Sequence, residues 1–168
     1  MRLFISLWPP REAAEALHAW ALQACRTTGG RATRAESIHL TLAFLGEIGE
    51  ERLVELKGLR PAGDAHSLRI EQARHWARKR IVWAGPGQTP AALRVLAGSL
   101  VAQLAQRNFV TVARPFAAHV TLIRRTEGTG DLPALPEVDW PVRDFLLVRS
   151  QLSSEGPRYE VLERFALA

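Results

Sequence analysis

Two short segments of the chain carry the same pattern, a histidine and a threonine two positions apart inside an apolar run. The first copy holds His39 and Thr41, and the second holds His119 and Thr121, 80 positions further along. An imidazole takes up or releases a proton near neutral pH, and a threonine hydroxyl donates a hydrogen bond. Two such pairs in one cleft would suit acid–base chemistry at a single small anionic group.

Both segments are predicted β-strands, because they are short, apolar and contain β-branched residues. Side chains alternate between the two faces of a strand, so residues two positions apart lie on one face, about 6–7 Å apart. Each histidine should therefore share a face with its threonine, and Leu40 and Val120 should lie on the other face. Arg124 or Arg125 could neutralise charge on a phosphate. Strict alternation places Arg125 on the face of His119.

An internal duplication indicates how the two motifs come together. A strand, a long helix and a His-x-Thr strand occur twice, with matched spacing. Leu3 lies 36 positions before His39, and Ile81 lies 38 positions before His119. We expect two halves related by a pseudo-twofold axis, because equivalent positions would then meet across that axis. This arrangement would bring the two histidines into one cleft.

The remaining elements follow from periodicity and from turn residues. The predicted strands are 2–7, 67–73, 80–84, 143–152 and 158–167, and the predicted helices are 10–26, 50–59 and 90–107, the last with Thr89 as its N-cap. Residues 126–141 contain several prolines and glycines and are predicted to form a loop.

Length and composition indicate one globular domain spanning residues 1–168, or two small lobes that share a core. The chain is 47% apolar and 23% charged, with a net charge of +5 and a sequence pI of about 10.6. This basic balance favours anionic partners, and arginine suits phosphate. An arginine-rich genome composition is the alternative explanation for the excess. Cys25 is the only cysteine, so an internal disulfide and a cysteine-based metal site are excluded.

The sequence also predicts where the protein resides and what it lacks. The apolar run 3–8 is shorter than the apolar region of a signal peptide, and no run reaches the length of a membrane span. We expect a cytoplasmic monomer that does not bind membranes. Two histidines without an aspartate or glutamate in the same motifs make a poor divalent-metal site, so we expect neither a metal nor another cofactor.

Several blocks of the chain resemble the bacterial and archaeal RNA 2′,3′-cyclic phosphodiesterases of the 2H phosphoesterase superfamily, also called 2′-5′ RNA ligase-like proteins. They are Arg2-Leu-Phe, His39-Leu-Thr-Leu-Ala-Phe-Leu-Gly, Arg114-Pro-Phe-x-x-His-Val-Thr-Leu and Gly156-x-x-Tyr159. The resemblance covers essentially the whole chain. It implies an α+β fold of two pseudo-twofold-related lobes, whose antiparallel sheets line a central cleft and whose helices lie outside.

The resemblance also implies a reaction, in which an RNA 2′,3′-cyclic phosphate is opened to a 2′-phosphate without a metal. His39 matches the family's acid, which protonates the 3′ leaving oxygen, and His119 matches the base, which activates water. The residues by themselves do not assign these two roles. Run in reverse, the same site would join a cyclic end to a 5′-hydroxyl and form a 2′-5′ linkage.

The resemblance further implies substrate contacts. Thr41 and Thr121 match threonines that contact the phosphate, and Phe44 and Arg124 match positions that contact the nucleotide base. Strict alternation places Phe44 and Arg124 on the face opposite to the histidines, so a strand end or a β-bulge is required at each.

Two other functions remain open from the sequence. One is an RNA-binding module without turnover, which the basic charge and the aromatic residues would serve equally well. The other is an enzyme that opens the cyclic phosphate of a small nucleotide. His18, His66 and His75 lack the repeated pattern and are expected to be surface residues, and Trp76 in its basic segment is a candidate for stacking on RNA.

Overall fold

The computed structural model describes residues 1–111 and 116–168. Arg114 and Pro115, which begin the block that contains the second motif, lie outside these residues. The strands are β1 (Arg2–Leu7), β2 (Arg31–Ala32), β3 (Leu40–Glu47), β4 (His66–Ile70), β5 (Gln72–Trp76), β6 (Ile81–Gly85), β7 (Val120–Arg124), β8 (Val138–Val142), β9 (Asp144–Ser153) and β10 (Gly156–Ala166), and the helices are α1 (Arg11–Thr28), α2 (Leu53–Lys57) and α3 (Ala91–Gln106).

An antiparallel sheet forms the centre of the fold. Its strand order is β10-β9-β1-β3-β7-β6-β5, with β2 paired to β7, and β4 pairs with β8 in a separate two-stranded sheet. Strands β1 and β3 belong to the first half and β6 and β7 to the second. The halves join where β3 pairs with β7, and the partners recorded there are Leu40 and Val120.

The helices cover one face of this sheet, and each packs against a strand of the other half. Helix α1 follows β1 in the first half but lies against β7, and α3 follows β6 in the second half but lies against β3. Apolar side chains of both helices are buried with Leu40 and Val120 in one core. The predicted α+β fold of two pseudo-twofold-related lobes with outer helices is confirmed. The single domain over residues 1–168 stays a prediction, and the shared core is consistent with it.

Three local predictions require correction. The predicted strand 67–73 is two strands, because the chain leaves β4 at Ile70 and enters β5 at Gln72 in a different sheet. The predicted loop 126–141 contains the start of β8. Buried and exposed residues alternate along this strand, but its proline and its acidic residue made the sequence resemble a loop. Helix α3 begins after Pro90 and has no side-chain N-cap, so Thr89 does not cap it.

Neither long helix within the described ranges has the length and hydropathy of a bilayer-spanning segment.

Candidate active site

The two histidines and two threonines lie at the joint between the halves of the sheet. Leu40 and Val120 are partners across this joint, and both side chains are fully buried in the core. The motif residues occupy the neighbouring positions, so their half-buried side chains lie on the other face of the sheet. His39 and His119 each directly precede one of these two partners, and the charge of His119 acts on the His39 imidazole. The expected convergence of the two motifs is therefore present in the fold.

Both imidazole rings are held by the same local hydrogen bond. Nδ1 of His39 lies 2.8 Å from the carbonyl oxygen of Ser37, and Nδ1 of His119 lies 2.9 Å from that of Ala117. A carbonyl oxygen only accepts hydrogen bonds, so Nδ1 carries a proton in each ring. This fixes Nε2 as the atom that accepts or releases a proton. The two rings are thus oriented alike by the backbone that precedes each strand.

Three aromatic rings enclose the His39 imidazole. The Trp8 ring stacks on it at 4.8 Å and 16°, and the Phe4 and Tyr159 rings lie 5.1 and 5.3 Å from it between centroids. The Trp8 indole is held in turn by a hydrogen bond to the carbonyl oxygen of Glu36, at 3.2 Å. His39 therefore has an apolar environment, which we call the aromatic cage and which consists of Phe4, Trp8 and Tyr159.

The cage shifts the proton equilibrium of His39. Burial lowers the pKa of its imidazole from the ordinary value of 6.5, and the hydrogen bond to Ser37 opposes this. The positive charges of Arg124 and His119 lower the pKa further. These two charges come from the second half of the sheet, so they act on His39 across the joint. Burial raises the pKa of Tyr159 in the same cage, and the charge of Arg124 opposes that shift.

A β-bulge in β3 places Phe44 at the site. Thr41 and Ala43 face consecutive residues of β1, so Leu42 has no partner in that strand. The extra residue reverses the alternation beyond it, and Leu42 and Ala43 are both buried as a result. Phe44 consequently lies on the face of Thr41. Its ring is 6.2 Å from that of Phe4 and its side chain is 49% exposed.

The second motif has the same bulge at the equivalent position. Thr121 and Ile123 face consecutive residues of β6, so Leu122 has no partner there. The bulge moves Arg124 to the face of Thr121. Arg125 follows the end of β7 with a φ of 58°, in the left-handed region. The alternation that placed Arg125 on the His119 face is therefore wrong, whereas the bulges required for Phe44 and Arg124 are present.

The other three histidines have structural contacts instead. Each is half-buried and lies within 2.9 Å of a backbone carbonyl oxygen, His18 at Thr33, His66 at Asp64 and His75 at Gly130. The expectation that they are surface residues is incomplete. Each is only partly exposed, and each is hydrogen-bonded to the backbone of its own or another segment.

The chain is similar to known proteins over almost its whole length. The sequence profile described as LigT like phosphoesterase matches residues 7–83, which include the first motif. The RNA 2′,3′-cyclic phosphodiesterase of Escherichia coli is 34% identical over 99% of this chain and 96% of its own length. The protein of the same name from Thermus thermophilus is 33% identical over 99% and 90%. The chain belongs to the LigT-like phosphoesterase family.

Solved structures of similar chains agree with this fold. E. coli LigT complexed with 3′-AMP superimposes with a TM-score of 0.89 at 33% identity, over 99% of this chain and 97% of that one. TT0787 of T. thermophilus superimposes with a TM-score of 0.86 at 30% identity, over 99% and 98%. The likeness extends well beyond the residues matched by the family profile and includes the second motif.

Sequence reasoning about this LigT-like phosphoesterase missed the aromatic cage. No sequence feature distinguished Trp8 from a core tryptophan. Phe4 and Tyr159 were part of the blocks that resemble the family, but no role was predicted for either residue. The three residues are distant in sequence and meet because β1 lies beside β3 on one side and β9 on the other, with β10 next. The available clue was that both ends of the chain carry an aromatic residue. Phe4 lies in the strand that pairs with the first motif's strand, and Tyr159 lies in the final hairpin.

Proposed function

We propose that the protein opens the 2′,3′-cyclic phosphate at an RNA 3′ end by hydrolysis, leaving a 2′-phosphate and a 3′-hydroxyl. The observation that carries the proposal is the pair of identically oriented imidazoles on one face of the Leu40–Val120 joint. Several relatives bear the name RNA 2′,3′-cyclic phosphodiesterase, which supports the choice of substrate. Paired imidazoles perform the proton transfers of this reaction, so it requires no metal.

The chemical step assigns one role to each histidine. Nε2 of His119 takes a proton from water as the water oxygen forms a bond to phosphorus. The bond from phosphorus to the 3′ oxygen breaks, and Nε2 of His39 gives its proton to that oxygen. The cycle closes when His119 loses its proton to solvent and His39 regains one. The hydrogen bond that holds His119 is exposed to solvent, whereas that of His39 is partly buried, which suits His119 to the base that meets water.

The aromatic cage suits His39 to the role of the acid. An imidazolium with a lowered pKa releases its proton more readily to a leaving oxygen. The cyclic phosphodiester carries a negative charge, and its binding beside His39 would offset the desolvation of the imidazolium and the charge of Arg124. The acid would therefore gain its proton when substrate binds.

Further side chains contribute to substrate binding in this proposal. The Thr41 and Thr121 hydroxyls donate to the two non-bridging phosphate oxygens, and the Arg124 guanidinium neutralises the charge that develops there. Phe44, half-exposed beside the cage, offers an aromatic surface to the terminal base. Arg125 follows the strand end and contributes only long-range positive charge.

The same site would also catalyse ligation. A 5′-hydroxyl in place of water would attack the cyclic phosphate and form a 2′-5′ linkage, with the histidines in the same roles. Water at high concentration makes hydrolysis the larger flux. An assay with a 5′-hydroxyl oligonucleotide measures the ligated fraction.

A cyclic phosphodiesterase acting on small nucleotides is the second candidate. E. coli LigT has been crystallised with 3′-AMP, with ATP and with NADP+, so a relative binds mononucleotides and dinucleotides. Turnover of a cyclic mononucleotide that equals or exceeds that of an RNA end would favour this candidate.

The test is incubation with a single-stranded RNA bearing a 2′,3′-cyclic phosphate, followed by assignment of the phosphate position in the product. We expect only the 2′-phosphate, in the presence of chelator as in its absence. His39→Ala and His119→Ala should each reduce kcat by about 10²–10⁴-fold and remove one limb of a bell-shaped pH profile. Full activity in His119→Ala, or activity abolished by chelator, would exclude the mechanism. RNA binding without hydrolysis would instead identify a binding module.

A further inference from the structure

The site face of the sheet extends past the second motif across β6 and β5. Thr121 faces Trp83 on β6, and Trp83 faces Arg74 on β5. Cross-strand partners point to the same side of an antiparallel sheet, so these three side chains form a row. The row begins at a motif residue and ends two strand spacings away, about 10 Å, at an exposed arginine.

A second row runs parallel to the first one. Arg31 on β2 faces Arg124 on β7, Arg124 faces Ile81 on β6, and Ile81 faces Trp76 on β5. Trp76 is 38% exposed, and the ammonium of Lys79 lies 4.4 Å from its ring centroid. Beyond Thr121 and Arg124, the two rows therefore contribute Arg31, Arg74, Trp76 and Trp83, which we call the arginine–tryptophan face.

In the part of the chain that the structure describes, the arginines of this face have no carboxylate partner. Within the described residues, ion pairs to acidic side chains involve Arg11, Arg34, Arg52, Arg69, Arg149 and Arg164. Neither Arg31 nor Arg74 is among them. Nε of Arg74 donates instead to the amide oxygen of Gln72 at 3.0 Å, which orients the guanidinium without cancelling its charge.

The two sides of the site therefore differ in chemistry. The first half of the sheet presents the aromatic cage and Phe44, whereas the second half presents Arg74, Trp76 and Trp83, with Arg31 of β2 on the other side of β7. Trp76 is exposed and Trp83 is half-buried. Aromatic rings among arginines on an open face of a sheet are suited to successive bases and phosphates of a single strand, since bases stack on the rings and the guanidinium groups bind the backbone. An acidic protein surface would use the charge but would have no need of the rings.

We propose that the arginine–tryptophan face binds the nucleotides on the 5′ side of the cyclic phosphate, so that the substrate is single-stranded RNA of several nucleotides. This inference rests on the proposed function, because it requires the cyclic end at the histidines. The terminal nucleoside then lies toward Phe44, and the preceding nucleotides cross β6 and β5 toward Trp76. Trp83 lies at the start of this path, with its ring 6.4 Å from that of His119.

The test compares two substrates with each protein, an RNA octamer with a 2′,3′-cyclic end and a 2′,3′-cyclic mononucleotide. The measured quantity is the ratio of kcat/KM for the octamer to kcat/KM for the mononucleotide, which cancels any general loss of folded or active protein. We expect wild type to prefer the octamer. Trp76→Ala should lower the ratio about tenfold, as expected for the loss of one stacked base.

Arg74→Ala has a matched control in Arg94→Ala, an exposed arginine on α3 and thus on the helical side of the sheet. Arg74→Ala should lower the ratio and make the octamer rate less dependent on salt, whereas Arg94→Ala should leave both as in wild type. Absence of turnover of both substrates would overturn the proposed function. Turnover of both with a ratio unchanged by Trp76→Ala and Arg74→Ala would overturn this inference alone.

Discussion

Leu40 and Val120 face each other where the two halves of the sheet meet, and each lies between the histidine and the threonine of its own motif. The pseudo-twofold axis therefore passes between these two residues. Their side chains fill the core beneath the joint, and the four motif side chains emerge on the other face. One pair of buried apolar residues thus sets the positions of both candidate acid–base groups.

The joint should be sensitive to loss of packing. Leu40→Ala removes a fully buried side chain at the contact between the halves, so we expect it to lower the free energy of unfolding by about 2–5 kcal/mol. Urea denaturation measures this change. Leu152→Ala, at a residue that is 85% exposed, serves as the control and should change stability by about 0.5 kcal/mol or less. Equal effects of the two substitutions would contradict the packing role of Leu40.

Arg124 and Arg125 should differ sharply despite being neighbours. The bulge at Leu122 turns Arg124 to the site, and Arg125 lies beyond the strand end. We expect Arg124→Ala to lower kcat/KM for a cyclic phosphate about 10²-fold, since a charge-assisted contact in the transition state is lost. Arg125→Ala should lower it less than about threefold, through long-range charge only. The reverse order of the two effects would contradict the placement of Arg124 at the site.

The threonine hydroxyls should act in the transition state. Thr121→Val keeps the shape and the β-branching but removes the donor, so we expect kcat to fall about 10²-fold with an unchanged melting temperature. Thr121→Ser restores the hydroxyl and should recover most of the activity. Steady-state kinetics on the same cyclic substrate check both variants, and the same comparison applies at Thr41. A Val variant as active as the Ser variant would remove the hydroxyl from the mechanism.

The aromatic cage should make stability depend on pH. The pKa of His39 in the folded protein is lower than the ordinary value of 6.5, so the unfolded chain binds more protons in the acidic range. The contribution of His39 to stability is complete above pH 6.5 and is lost as the pH falls through the folded pKa. The melting temperature of His39→Gln should therefore fall less than that of wild type as the pH is lowered from about 7 to 5.

Two conditions control this experiment. Between about pH 7.5 and pH 8.5 the imidazole is neutral in both states, so the difference in melting temperature between wild type and His39→Gln should stay constant. A steeper acid loss in His39→Gln than in wild type would contradict the direction of the shift. Trp8→Ala opens the cage and should make the pH dependence shallower, because the desolvation of His39 is relieved.

Much of the site was predictable because it is encoded locally. The period of two in a strand places His39 with Thr41 and His119 with Thr121, and this needs no knowledge of the rest of the chain. The duplication of strand, helix and strand predicted that equivalent positions would meet. Long helices were also predictable, since the apolar stripes of α1 and α3 repeat at helical spacing.

Features set by pairing between distant strands were not predictable in the same way. The bulges at Leu42 and Leu122 are defined by the pairing with the partner strands β1 and β6. Alternation along a single strand therefore placed Arg125 wrongly. It could place Phe44 and Arg124 at the site only if a bulge was assumed. The separation of β4 from β5 likewise follows from which partner each strand finds.

By itself, the sequence determined which residue types were available and which of them share a face, because side-chain direction within a strand depends only on the local backbone. The tertiary structure decided what surrounds them. It enclosed His39 in rings drawn from β1, β10 and the segment after β1, and it set Trp83 and Arg74 in line with Thr121. Such neighbours come from strand order and register, which are fixed by burying the whole core at once and not by any one segment.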